Sequence, residues 1–170
     1  MIYRFRMLSD ENDNFVRDFE VDATTTLLDL HNFLIKMLRY DECMASFFTA
    51  DDRWEKLQEY TYMDMGGGMG DGGDGMPLPM ESAILEDVLT HLHARLIYVF
   101  DPFSQRAYYI ELIEAKKADK GMEYPRLQFA HASTPDQYDP EANDEGGSIF
   151  DEMMGDYNDF DGDDNYDDEY

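Results

Sequence analysis

Leu85-Glu86-Asp87-Val88-Leu89, a connector with His91 and His93, then Arg95-Leu96-Ile97-Tyr98-Val99-Phe100-Asp101-Pro102 and Arg106-Ala107-Tyr108-Tyr109-Ile110-Glu111-Leu112 form the chain's densest run of core-forming residues. The run reads as a short helix feeding two apolar strands, with Asp101-Pro102-Phe103-Ser104-Gln105 as the turn between them. The rest of the fold has to pack against these strands.

Upstream, Ile2 to Leu8 reads as a strand with Tyr3, Phe5 and Met7 on one face and Arg4 and Arg6 on the other. A polar turn, Ser9 to Asn14, leads to a second strand with Phe15, Arg17, Phe19 and Val21 on one side, so a hairpin is expected. Thr26 and Asp29 mark a helix start, and Leu27, Leu30, His31, Leu34 and Leu38 recur at helical spacing up to about Arg39. Met44 to Thr49 suits a buried strand, and Trp54 to Tyr62 an edge strand. Ser82 is placed to cap the short helix of the opening run, and Tyr124-Pro125-Arg126-Leu127-Gln128-Phe129 is an extended closing segment. The expected fold class is α+β: one compact domain over residues 1–138, with a mixed sheet of about five strands, one main helix and a second short helix. The order strand-strand-helix-strand-helix-strand-strand is compatible with a β-grasp-like sheet. Residues 63–80 carry five methionines among seven glycines and read as a mobile loop, because glycine loses so much freedom on ordering.

Charge narrows the function. The chain has 39 acidic and 13 basic residues, net −26. From Asp139 to Tyr170 there are 14 acidic residues and no Lys or Arg, which leaves 25 acidic against 13 basic, net −12, in residues 1–138. Residues 139–170 have no apolar periodicity and read as a disordered acidic tail. Such a field repels phosphates and anionic lipid, so no direct nucleic-acid or membrane contact is expected. The single cysteine, Cys43, excludes an internal disulfide and reads as a small packed residue. With neither a signal-like segment nor an apolar run long enough to span a bilayer, the expected location is cytoplasmic.

Few residues offer chemistry. His91 and His93, with Asp87, have donor types that suit a metal, but no third strong ligand is fixed and a solvated connector is the plainer reading. His31 reads as a core-edge histidine with a hydrogen-bond partner. The glycine-rich loop lacks a basic residue to hold phosphate and instead carries Asp71 and Asp74. The tail's Asp159-Phe160-Asp161-Gly162 matches a calcium loop poorly, so no cofactor is expected beyond weak divalent-cation binding by clustered carboxylates.

An ordered set of short motifs carries a family resemblance. Leu28-Asp29-Leu30-His31, Tyr40-Asp41, Phe48, Leu85-Glu86-Asp87-Val88-Leu89, Leu96-Ile97-Tyr98-Val99-Phe100-Asp101, Ile110-Glu111-Leu112 and Tyr124-Pro125-Arg126 recur in order and spacing. Over roughly residues 2–138 the chain resembles the plasmid pRiA4b ORF-three-like family. The resemblance implies a compact α+β domain, no settled activity, and His31, Asp101, Glu111, Tyr124, Pro125 and Arg126 as family-motif positions. Several polar residues common in the family, including histidines after the first helix, are absent here. The expected function is a non-enzymatic acidic interaction protein that binds a basic protein partner through its tail, its domain surface or both. The alternative is a small enzyme or metal-dependent site built from His31, His93, Asp101 and Glu111, which requires those groups to converge.

Overall fold

The two apolar strands of the opening run lie side by side in the middle of a sheet. The computed structural model describes residues 1–62 and 75–138. The acidic tail from Asp139 and most of the Met/Gly loop, residues 63–74, lie outside the described residues, and with them the expectations about mobility, disorder and divalent-cation binding. All described residues except Tyr138 belong to one unit, Met1–Gln137.

The elements run β1 (Ile2–Ser9), β2 (Val16–Asp22), α1 (Leu27–Leu38), β3 (Ser46–Ala50), β4 (Lys56–Thr61), β5 (Leu78–Pro79), a 3-10 turn (Met80–Ser82), α2 (Leu85–Val88), β6 (Arg95–Asp101), β7 (Arg106–Lys116) and β8 (Arg126–His131). The sheet has eight strands among the described residues, in the order β5-β4-β3-β6-β7-β1-β2-β8. Every pairing is antiparallel except the short parallel contact of β4 with β5.

Helix α1 forms where its apolar stripe and its caps agree. Leu27, Leu30, His31, Leu34 and Leu38 are buried. The Thr26 hydroxyl accepts the Asp29 N–H at 3.2 Å, and Asp29 lies in the first turn, where an anion is favoured. Arg39 ends the helix in the left-handed region at φ 59°. The stripe packs on Phe5, Met7, Phe19, Val21, Phe47, Leu96, Tyr98, Tyr108 and Ile110, all fully or almost fully buried. Burying each such large apolar side chain is worth about 1.5–3 kcal/mol, so this one-sided layer is the principal source of stability.

The segment after β8 is lashed down. The Arg17 guanidinium donates to the carbonyls of Val16, His131 and Ala132, each at 2.8 Å, and to the Thr134 hydroxyl at 3.1 Å. Arg106 donates to the carbonyls of Asp136 and Gln137, and the Tyr40 hydroxyl donates to the Pro135 carbonyl at 2.6 Å. Tyr40 and Tyr108 also share a very short hydroxyl–hydroxyl hydrogen bond.

The expected α+β class with about five strands is overturned. The described residues are mostly sheet, with eight strands and two short helices among them, and they form one eight-stranded mixed sheet rather than a small β-grasp sheet around one helix. The physical reason lies at the edges. The closing segment and the Trp54 to Tyr62 stretch both carry backbone groups that need partners, and they find them on β2 and β3. Leu78–Pro79, expected inside the loop, adds a further two-residue strand beside β4. Met80, also expected in the loop, is wholly buried. Ser82 does not cap α2, whose N-cap is Ile84.

Candidate functional site

Alternate residues of a strand face opposite ways, so the sheet has a helix-covered side and an open side. Phe5, Met7, Phe19 and Val21 go to the helix. Arg4 and Arg6 of β1 and Asp18 and Glu20 of β2 go to the open side, where cross-strand register builds two rows. One runs Arg95, Glu111, Arg6, Asp18 across β6, β7, β1 and β2. The other runs Glu114, Arg4, Glu20, Arg126 across β7, β1, β2 and β8. Charge alternates at every step, which is the favourable arrangement for directly opposed cross-strand pairs.

The distances agree with this register. Arg6 forks onto Asp18 with two bonds of 2.9 Å, and Arg4 adds a third at 3.2 Å. Lys116 and Arg126 hold Glu20 at 2.9 and 2.8 Å. Arg95 reaches Glu111 at 3.3 Å, and Arg4 lies 3.6 Å from Glu114. Asp18 and Glu20 are each only 1% exposed, whereas the Arg6 side chain is 47% exposed. Burial pushes both carboxyls up. For Asp18 the hydrogen bonds from Arg6 and Arg4 outweigh it, and for Glu20 those from Lys116 and Arg126, so both end below the ordinary carboxylate range.

Beside the charged rows, Ile97, Val99 and Ala107 are roofed on the same side by Phe48, Trp54 and Tyr109. Lys56 lies over the Phe48 ring at 4.6 Å and Arg95 over Trp54 at 4.5 Å.

On the helix side, His31 is fully buried, with Nδ1 2.7 Å from the Tyr98 hydroxyl. Tyr98 in turn shares a hydrogen bond with the Cys43 thiol. His31 Nε2 is buried with no hydrogen-bond partner among the described residues. A bare ring nitrogen costs less there than an unsatisfied N–H, which assigns the proton to Nδ1. Nδ1–H then donates to Tyr98, and the Tyr98 hydroxyl donates to Cys43. Burial lowers the His31 pKa, raises that of Cys43 and raises that of Tyr98 strongly. The chain is therefore neutral, and Cys43 is a thiol rather than a thiolate nucleophile.

The residues singled out from sequence do not gather. His31 lies under the helix, whereas Glu111 lies on the opposite side of the sheet beside Arg95. His93 sits in a turn at φ 69° with its side chain 64% exposed, and its Nδ1 is 4.0 Å from Glu111. Asp101 is engaged as a turn cap, accepting the N–H groups of Phe103 and Ser104. His91 and Asp87 are exposed, and among the described residues no three His, Cys, Asp or Glu side chains are grouped to hold a metal ion. The Tyr124 hydroxyl accepts the Asp119 N–H at 3.1 Å, the Tyr124–Pro125 bond is cis, and Arg126 pairs with Glu20. Asp87 instead lines a groove between β4–β5 and α2, walled by Tyr60, Leu78, Pro79, Ile84 and Val88. Glu81, on the 3-10 turn, and Glu86, on α2 and lining a separate cavity with Tyr3 and Leu89, are also exposed. Sequence reading missed this groove and the pairing of Asp18 and Glu20. The alternation of β2 was a signal that both acids share a face, but nothing local named their partners.

Among the described residues no helix is long and apolar enough to cross a membrane. No curated protein matches the sequence. In structure the chain is similar to a protein of unknown function, MM3350, from Methanosarcina mazei Go1, with a TM-score of 0.62 and 17% identity over 79% of this chain and 71% of that one. That likeness speaks to the fold alone. The model of the plasmid pRiA4b ORF-3-like proteins matches residues 2–167, further into the acidic tail than the motifs themselves reach, and the chain belongs to that family.

Proposed function

We propose that this is a non-enzymatic interaction protein that binds a basic protein partner, with the groove beside α2 as the seat for a lysine or arginine side chain. The observation that carries the reading is the make-up of that groove. Its lining is mostly apolar with Asp87 among it, and Glu81 on the preceding 3-10 turn and Glu86 on α2 are exposed close by in sequence. A long basic side chain lays its methylenes along apolar surface and keeps its charge at the polar rim. The surrounding sequence agrees, since no Lys or Arg occurs from Leu57 to Ala94. The net charge of −26 speeds encounter with a cationic partner. The 14 acidic residues of 139–170, with no Lys or Arg among them, add to that attraction. His31 lies on the opposite side of the sheet from Glu111, which His93 approaches to 4.0 Å, so this reading does not draw on the four as one site.

The test is fluorescence anisotropy with a labelled lysine-rich peptide. The intact chain is expected to bind saturably, and Glu81→Gln/Glu86→Gln/Asp87→Asn to weaken binding by about tenfold, on the order of half a kcal/mol per neutralised charge in or near the groove. A chain ending at Tyr138 is expected to bind more weakly than the intact one. Affinity that is indifferent to both changes counts against the proposal.

A further inference from the structure

We propose that α2 divides two seats for one basic partner, which presents an arginine to the cavity beside Tyr3 and Glu86 and a second basic side chain to the groove beside Asp87. The inference rests on the groove reading above and deepens it, because it names the element of the partner that is recognised.

The argument starts from helix geometry. Successive residues of a helix are turned by about 100°. Leu85 points into the core and is wholly buried. Glu86 and Leu89 then fall on one flank of α2 and Val88 on the other, with Asp87 outermost on the Val88 side. The surface agrees. Glu86 and Leu89 line one cavity, Asp87 and Val88 line the other, and the two share no lining residue.

Size and chemistry then select the occupant. The volumes, about 210 and 220 Å³, are below the roughly 300–1,000 Å³ of pockets that enclose whole small ligands, so each suits a single side chain. Each has one carboxylate, and no Lys or Arg lines either. Asp18 and Glu20 are held by cations, whereas neither the Glu86 nor the Asp87 carboxylate takes part in a hydrogen bond or ion pair among the described residues. In the Glu86 cavity Leu89, Leu92 and Leu112 offer apolar surface to the methylenes of a basic side chain, and Thr90 and His91 complete the polar lining. Tyr3 adds an aromatic ring, and Glu86 is near enough to reinforce burial in pushing the Tyr3 pKa up. A carboxylate beside a ring matches a guanidinium, which forks onto the one and stacks on the other, better than it matches the point charge of an ammonium.

The ridge between the seats sets the spacing. A helix with its side chains is about 10–12 Å across. An extended segment returns side chains to one face at every second residue, and residues four apart stand about 13 Å apart. Basic residues at i and i+4 of such a segment therefore straddle α2.

The experiment uses labelled Gly/Ser peptides with two arginines four residues apart or adjacent, titrated with the full chain by anisotropy. The two peptides carry equal charge. The spaced one is expected to bind about tenfold more tightly, since its second contact is intramolecular. Glu86→Gln and Asp87→Asn are each expected to weaken it about threefold, and Glu114→Gln, an exposed acid that lines neither seat, to change it little. Equal affinity for the two peptides, or a Glu86→Gln effect no larger than that of Glu114→Gln, overturns the second seat and leaves the groove reading standing if Asp87→Asn still weakens binding. Indifference to Asp87→Asn, or no saturable binding of the spaced peptide, overturns both.

Discussion

His31 shows what a buried titratable group does when burial outweighs the pull of a nearby carboxylate, Glu42. Its ring is fully enclosed, Nδ1 is satisfied by Tyr98, and burial lowers its pKa. The unfolded chain binds a proton near pH 6.5, whereas the folded one resists it until the pH is lower. The stability from this residue is therefore complete above about 6.5 and is lost as pH falls towards the depressed folded value, at up to about 1.4 kcal/mol per pH unit. Urea midpoints measured between pH 7.5 and 5.5 should show that slope, and His31→Gln should lack it. If the variant has the same slope as the natural protein, the neutral assignment is wrong. The helical spacing of the sequence placed His31 on the apolar stripe and gave it a partner, but not the partner's name. Tyr98 is 67 positions away, and only the packing of α1 over β6 joins them.

At the scale of elements, the open-face rows separate buried from exposed ion pairs. Asp18→Asn leaves Arg4 and Arg6 side by side without their shared anion and is expected to cost about 1–3 kcal/mol, moderated because both arginines reach water. Glu114→Gln, at a site 47% exposed, should stay within about 0.5 kcal/mol. Equal costs in chemical denaturation would contradict that separation. The segment after β8 gives a separate check. Arg17→Met removes four hydrogen bonds, so amide exchange in Arg126–His131 should accelerate while that in β6 and β7 stays slow. The strands themselves were largely legible, because alternation along β1 and β2 and the dense apolar runs of β6 and β7 are local signals. Their pairing was not. The contact of β1 with β7, which sets both charged rows, spans more than a hundred residues at its far end. The edges were not legible either, since β5 and β8 have little apolar alternation and are strands only because a neighbour offers hydrogen bonds.

The whole molecule is defined by charge laid out on a one-sided core. The net charge of −26 could be read directly, as could the expectation of a cationic partner. Its distribution could not, because the alternating charged rows of the open face depend on which strands become neighbours. The scaffold therefore carries a face of paired charges that composition alone would average into one acidic body. The central claim is that function lies in binding a basic partner at the acidic groove, and the most direct measurement is the salt dependence of affinity for a lysine-rich peptide, with the Glu81, Glu86 and Asp87 neutralised chain beside the natural one. The account predicts an affinity that falls steeply as salt rises, and a neutralised chain that starts weaker and falls less steeply. Identical affinities and identical salt slopes for the two chains would contradict it.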